Sequence, residues 1–351
     1  MKSVFPIEGR LVGDGQRCFL IGEVGSNHNL DKNVVRGLID ACAEAGFDAV
    51  KFQIYDPGAA FSKHVTTADV KLDHLYGMAP WWEVARDKIL MPRDWFGEMF
   101  AYARKQGLIP FSAIHRPEDA AFLSQFGLPV LKIASIDLHY HHLLRALAAL
   151  RIPMIVSTGM AYMSEIDETV RLLEACGADE VALLHCVSCY PPRPEETNLR
   201  NIQSLAQAFG APTGFSDHSP GVACAVAAVT LGACIIEKHI TLDRHYPGPD
   251  HIFALEPAEM AQLASAVREV EAALGSTRRS LSPGEMESRL MIRRSIVARI
   301  PIAKGEPVTL ASIKFARPGT GIPTNDFRFM EGRRAAVDIP PETIIAWDML
   351  V

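Results

Sequence analysis

Eight short apolar runs, each followed by a longer amphipathic segment, constrain this chain more than any other feature. The runs are 18–24 (CFLIGEV), 48–54 (DAVKFQI), 108–114 (LIPFSAI), 130–135 (VLKIAS), 153–158 (PMIVST), 181–187 (VALLHCV), 212–218 (PTGFSDH) and 234–240 (CIIEKHI). Segments 31–45, 92–106, 140–150, 163–176, 198–209 and 257–274 carry apolar residues at helical spacing. Near-continuous apolar strands separated by helices imply a parallel sheet covered on its outer face, and eight such units in about 250 residues are the size of a (β/α)8 TIM barrel. An open doubly wound sheet would carry a G-x-G-x-x-G turn after its first strand, where this chain has GEVGSNHN.

Almost every run ends in groups capable of chemistry: Glu23, Lys51 and Gln53, Ser112, Lys132 and Ser135, Thr158, His185 and Ser188, Asp217 and His218, Lys238 and His239. Contact with solvent accounts for a polar residue at any one strand end. Eight such ends together point to the catalytic face of a barrel.

His218 and His239 close the seventh and eighth strands, ~5 Å apart at the backbone, with room for one ion between them. Two imidazoles leave coordination positions open, which suits a catalytic divalent metal; the alternative is a pair of hydrogen-bonded histidines without metal. Alternation points Glu237 the same way as His239, as an orienting group, and Lys238 the other way. Lys51 and Lys132 aim two ammonium groups into the mouth, converging with Ser112, Ser135 and Ser216 on a small ligand bearing phosphate and carboxylate. A Schiff-base lysine, or a lysine ion-paired with Glu23 or Asp137, are the competing readings. Cys186 and Cys189 form a C-x-x-C that leaves a strand into YPPRP instead of opening a helix, which argues against redox or zinc chemistry.

The net charge of −6 includes no basic run, so nucleic acid is not an expected partner. No stretch approaches the ~20 apolar residues of a membrane span, and MKSVFPIEGRLVGDG lacks a signal core, so a cytoplasmic protein is expected. Seven cysteines, an odd number scattered through apolar segments, fit reduced thiols.

The series IGEVGSNHN, KFQ, LKIAS, STGM, HCVSCYP, GFSDHS, EKHITLD and GPDH, followed by RRSIVA, RPGTGI and GRRAAVDI, resembles the sialic acid synthase family, the phosphoenolpyruvate-dependent synthases of nonulosonic acids. The resemblance implies a TIM barrel over 1–275, a linker at 276–291 and a small antifreeze-like (SAF) domain over 292–351. It implies Mn2+ or Mg2+ at His218 and His239 beside Glu23, with Glu23, Lys51, Lys132 and Asp137 catalytic. Phosphoenolpyruvate would be held by Lys51, Ser112, Lys132, Ser135, Ser188 and Ser216. The sugar would be met by Gln53, Tyr190, Asp250 and Arg317, the last reaching the other protomer of a domain-swapped homodimer.

In this family Ser188 is Asn and Asp137 is Glu in many members, and residues 56–91 do not match the segment that commonly contacts the amino sugar. In EKHITLDRHYPGPDH, His239 reads as the metal ligand, His251 belongs to the GPDH motif and His245 reads as surface. The activity expected is condensation of phosphoenolpyruvate with an open-chain N-acylated amino sugar, for surface polysaccharide. A metal-independent Schiff-base aldolase and a non-enzymatic carbohydrate-binding protein are the alternatives. The tail, residues 292–351, is expected to be a compact, mostly irregular or β module, too short to build a sizeable core alone.

Overall fold

The eight apolar runs become eight parallel strands in the computed structural model, which describes residues 1–351. A hairpin of β1 (Val4–Ile7) and β2 (Arg10–Gly13) comes first. Then β3 (Phe19–Glu23), β4 (Ala49–Ile54), β5 (Ile109–Ile114), β6 (Leu131–Ile133), β7 (Met154–Ser157), β8 (Val181–Cys186), β9 (Thr213–Asp217) and β10 (Ile235–His239) pair in chain order. β10 pairs with β3, which closes the barrel. Closure buries every residue of β3, β9 and β10, as near-continuous apolar runs require.

One principal helix follows each barrel strand: α1 (Lys32–Ala45), α2 (Phe96–Lys105), α3 (Pro117–Ser124), α4 (His141–Ala148), α5 (Met163–Ala175), α6 (Asn201–Phe209), α7 (Ala223–Thr230) and α8 (Pro257–Leu274). Helix α1 shows why the sequence folds this way. Asp31 accepts a hydrogen bond from Asn33 N at 2.8 Å as N-cap, Val35, Leu38, Ile39 and Cys42 form one buried stripe, and Gly46 ends the helix in the left-handed region.

Between β4 and α2 the chain makes a long excursion of short helical turns with its own small core. Trp81, Val84, Ala85 and Ile89 are buried there, packed by Tyr55, Phe61 and Tyr76. No helix of the structure is long and apolar enough to cross a membrane.

The chain divides into two units, Met1–Gly275 and Ser276–Val351. The second begins with α9 (Pro283–Ile292), so most of the expected linker is helical, started by a capping box of Ser282 and Glu285. Strands β11 (Ser295–Ala298) and β12 (Ile313–Ala316) pair antiparallel. This unit has a small core of its own, with Ile296, Ile302, Val308, Ile313, Met330, Ile339 and Ile345 buried. Isolated bridges such as Val297 to Ile344 and Ile302 to Ile339 draw the irregular segments around that core.

Candidate active site

Strand alternation sorts the polar strand ends into two sets, one facing into the barrel and one facing out. A cavity of about 280 Å³ opens at the C-terminal ends of the strands, lined by Lys51, Gln53, Lys132, Ser135, Ser188, Tyr190, Ser216, His218, Glu237, His239 and Asp250 among others. The outward set serves the fold. His185 bonds to Thr197 O, Thr158 donates to Leu184 O, and Lys238 forms a fully buried 2.7 Å ion pair with Asp217.

Ser112 belongs to the outward set, which corrects its assignment to phosphoenolpyruvate. It pairs in register with Phe52, is fully buried, and its hydroxyl lies 3.0 Å from both Phe52 O and Ala113 O; Ala113, one residue on, faces the cavity instead. Asp137 does not line the cavity either. It stands behind His115, with Oδ2 2.6 Å from the imidazole Nδ1.

Four buried charged residues build the floor: Lys51, Lys132 and Glu237 line it, and Glu23 lies behind Lys51. Lys51 Nζ lies 3.1 Å from Glu23 Oε2 and 3.1 Å from Glu237 Oε1, and Lys132 Nζ lies 3.9 Å from Glu237 Oε1. Lys132 also donates to Ser157 Oγ at 2.7 Å, Ser216 donates to Glu237 at 3.0 Å, and Gln53 donates to Glu23 at 2.7 Å. Burial pushes the Glu23 carboxyl up. The same burial acts on Glu237, but Lys132 and Lys51 overcome it and hold that carboxyl below the usual range. Burial would lower Lys51, and its two carboxylate partners more than offset this. Lys132, with one distant partner, is pushed down to about 8.

Gly159, in the STGM segment, draws the serines together: its N–H donates to Ser135 Oγ at 2.9 Å, and a Cβ there would collide with the hydroxyls of Ser188 and Ser135. The result is a small polar cradle beside Lys132 that only glycine leaves open. Gly159, Ser157 and His115 escape a search for charged residues at strand ends; the STGM segment is the signal that finds the first two.

The two histidines stand together with ring centroids 5.4 Å apart, packed by Phe253 and by Tyr190, whose ring centroid is 4.3 Å from that of His218. Burial pushes both imidazoles down to about 3, so both are neutral at pH 7. His218 Nδ1 lies 3.2 Å from Val187 O, and His239 Nδ1 is 3.8 Å from Asp250 Oδ2. Gly25, with a φ of +51°, brings the backbone against Glu23, His239 and Asp250.

His239 Nδ1 and Glu237 Oε2 are buried without a hydrogen-bond partner, and Glu23 Oε2 meets the Lys51 ammonium. No three His, Cys, Asp or Glu groups gather closely enough to hold an ion by themselves. Two neutral imidazoles, one of them with an unpartnered Nδ1, therefore fit an open metal site completed by water or substrate, not a closed structural one.

The other two histidines of EKHITLDRHYPGPDH lie away from the pair. His251 bonds Thr241 Oγ1 at 2.7 Å and Asn29 Oδ1 at 3.2 Å, while His245 is 92% exposed beside Asp243. Arg317 lies exposed in the second unit, its Nε donating to Ile292 O at 2.7 Å.

A closed (β/α)8 barrel with paired lysines and carboxylates on the floor and two imidazoles on the wall of its C-terminal mouth has the architecture of a TIM-barrel enzyme. The chain belongs to the NeuB family, whose model matches residues 38–279, and a SAF domain matches residues 293–351. It is 32% identical to the N,N'-diacetyllegionaminic acid synthase of Legionella pneumophila, over 96% of this chain and 95% of that protein. It is 33% identical to the N-acetylneuraminate-9-phosphate synthase of Mus musculus, over 96% of this chain and 94% of that one. The crystal structure of the spore coat polysaccharide biosynthesis protein SpsE of Bacillus subtilis is 35% identical, covers 99% of both chains and superposes with a TM-score of 0.67.

Proposed function

We propose that the protein condenses phosphoenolpyruvate with an open-chain N-acylated amino sugar, giving a nonulosonic acid and inorganic phosphate. The observation that carries this reading is the floor. Two buried ammonium groups, Lys51 and Lys132, converge there on Glu237 beside the Gly159 cradle. Paired cations next to converging hydroxyls suit a phosphate and a carboxylate on one small molecule.

Lys51 and Lys132 would hold the anionic groups, with Ser135, Ser188, Ser216 and the Gly159 backbone orienting the phosphate. The C3 carbon of phosphoenolpyruvate attacks the aldehyde carbon and leaves positive charge at C2. A water adds there, and Glu23, whose raised carboxyl suits proton exchange near neutral pH, accepts its proton. The C2–O bond to phosphate then breaks, which yields the keto acid and phosphate. A divalent ion, Mn2+ or Mg2+, held by His218 and His239 would polarise the aldehyde. Gln53, Tyr190 and Asp250 face the cavity where the sugar would lie.

A second copy over the mouth belongs to the same reading. The rim carries exposed Ile136, Tyr140, Met160, Tyr162, Tyr190 and Ile252, an apolar ring of the kind a partner covers, and Arg317 is the residue such a partner would supply. A cytoplasmic location goes with phosphoenolpyruvate as substrate.

Incubation with phosphoenolpyruvate, Mn2+ and a panel of hexosamine and diamino-sugar acceptors tests the proposal. Phosphate release with a product heavier by the three-carbon unit is expected, and no release with any acceptor overturns it. Lys132, pushed down to about 8, is the observation that favours the competing Schiff-base aldolase. Borohydride with substrate would trap that enzyme covalently and leave the synthase unmodified.

A further inference from the structure

His115 and Asp137 take no part in the floor or the histidine wall, yet His115 lines the same cavity. They follow the third and fourth barrel strands, opposite the seventh and eighth that carry His218 and His239. Tyr55 lies four residues beyond Lys51 along the same strand direction, ~13 Å further up the wall. A sugar whose aldehyde lies at the histidine pair, above the floor, therefore turns its far end to Tyr55, His115 and Ile136.

This wall is chemically particular. Asp137 Oδ2 lies 2.6 Å from His115 Nδ1, which fixes the ring and leaves Nε2 as its free nitrogen. Around it the wall is apolar. Tyr55 packs edge-on against His115 with centroids 5.4 Å apart, Phe61 packs on Tyr55 at 6.1 Å, and Ala60 and Ile136 complete the lining. Phe61 is in turn held by Trp81 of the excursion at 6.0 Å, so the wall rests on a packed support. The cavity is lined by no lysine or arginine besides Lys51 and Lys132, both committed to the floor. The neighbouring Arg116 is tied to Asp56 and Asp119. One free imidazole nitrogen beside an apolar surface, with no free cation of the barrel, matches an acylamino group: its amide bonds His115 and its acyl methyl lies on Tyr55, Phe61 and Ile136.

We infer that His115, positioned by Asp137, and the Tyr55–Phe61–Ile136 surface recognise a second acylamino group at the far end of the acceptor, so that the enzyme selects a diacylamino hexose over a mono-acylamino hexose or its phosphate ester. This rests on the synthase reading above.

The test compares N-acetylmannosamine, its phosphate ester and a diacetamido-trideoxymannose as acceptors for the full-length protein with Mn2+ and phosphoenolpyruvate. The wild type should use the diacetamido sugar at least about tenfold better in kcat/KM than either other acceptor, and His115→Phe and Phe61→Ala should each reduce that preference about fivefold or more. Asp137→Asn should reduce it in the same direction, through the freed imidazole. Phosphoenolpyruvate affinity, read by calorimetry, should stay within about twofold in all three, which a general structural defect would not allow. If His115→Phe fails to fold, Phe61→Ala carries the comparison. Equal or better use of N-acetylmannosamine or its phosphate, or an unchanged preference in the folded variants, overturns the inference and leaves the synthase intact. Absence of phosphate release with all three acceptors, although phosphoenolpyruvate binds, overturns the synthase reading and this inference with it.

Discussion

Glu237 Oε1 lies 3.1 Å from Lys51 Nζ, and the same oxygen is the nearest carboxylate to Lys132 at 3.9 Å, so one anion is shared by both cations. Lys132 is pushed down to about 8 by burial, with Glu237 the main opposing influence. A folded-state ammonium with a lowered pKa is charged below that pH and neutral above it. Accordingly, kcat/KM for phosphoenolpyruvate should fall as pH rises through about 8 in the free enzyme. In Glu237→Gln the opposing influence is gone, and the alkaline limb should move to lower pH. A pH profile of both proteins checks this, and a limb unmoved in the variant rules out Lys132 as the titrating group.

The histidine pair should behave as one site. Chelation should abolish phosphate release, with Mn2+ or Mg2+ restoring it, and His218→Ala or His239→Ala should lose activity and Mn2+ binding while melting near the wild-type temperature. Activity surviving full metal removal would contradict the assignment.

Acid stability of the metal-free protein follows from the same two residues. Their folded pKa values, about 3, lie below the usual 6.5, so the unfolded chain takes up protons first. Their contribution is complete above pH 6.5 and is lost as pH falls toward 3, by roughly 3 kcal/mol for each imidazole near pH 4.5. Urea titrations at a series of pH values should show this decline, shallower in the double alanine variant.

The barrel was legible because buried parallel strands read as apolar runs, and all eight lie within a residue or two of where periodicity puts them. Which strand-end residue faces inward was legible only in part. Glu237 and His239 sort correctly by alternation, but Ser112 was grouped by its polarity when its register with Phe52 turns it outward. The N-terminal hairpin turns at Glu8 and Gly9, both at positive φ, without the Asn-Gly signature that marks such turns. Helix α9 hides in a polar, arginine-rich stretch, although Ser282, Pro283 and Glu285 spell its start. His115 could not be read as a cavity residue at all, since it lies one position past its strand and depends on where the excursion puts Tyr55.

Gly159→Ala should separate substrate affinity from stability. The added methyl collides with the hydroxyls of Ser188 and Ser135, not with backbone, so the fold can accommodate it by turning those side chains away from the cradle. Phosphoenolpyruvate affinity should fall about tenfold, the loss of one or two charge-assisted hydrogen bonds, with a melting temperature close to the wild type. Calorimetric titration decides it.

Arg317 offers the sharpest test of the homodimer. It is exposed in the second unit, held by a single hydrogen bond from Nε to Ile292 O, which leaves the terminal guanidinium nitrogens free to meet a carboxylate or a sugar hydroxyl. If the partner's barrel receives it, Arg317→Ala homodimers should be at least about tenfold less active, since a charge-assisted hydrogen bond is lost at every site. His239→Ala homodimers should be inactive through the metal site. Mixing the two under subunit exchange makes half the dimers mixed, and in each of these one barrel has both an intact histidine pair and an arginine from its neighbour. About a quarter of the wild-type rate should return, the yield a two-fold symmetric dimer dictates. If mass measurement confirms exchange and the rate stays at the level of the separate variants, the arginine serves its own barrel or none.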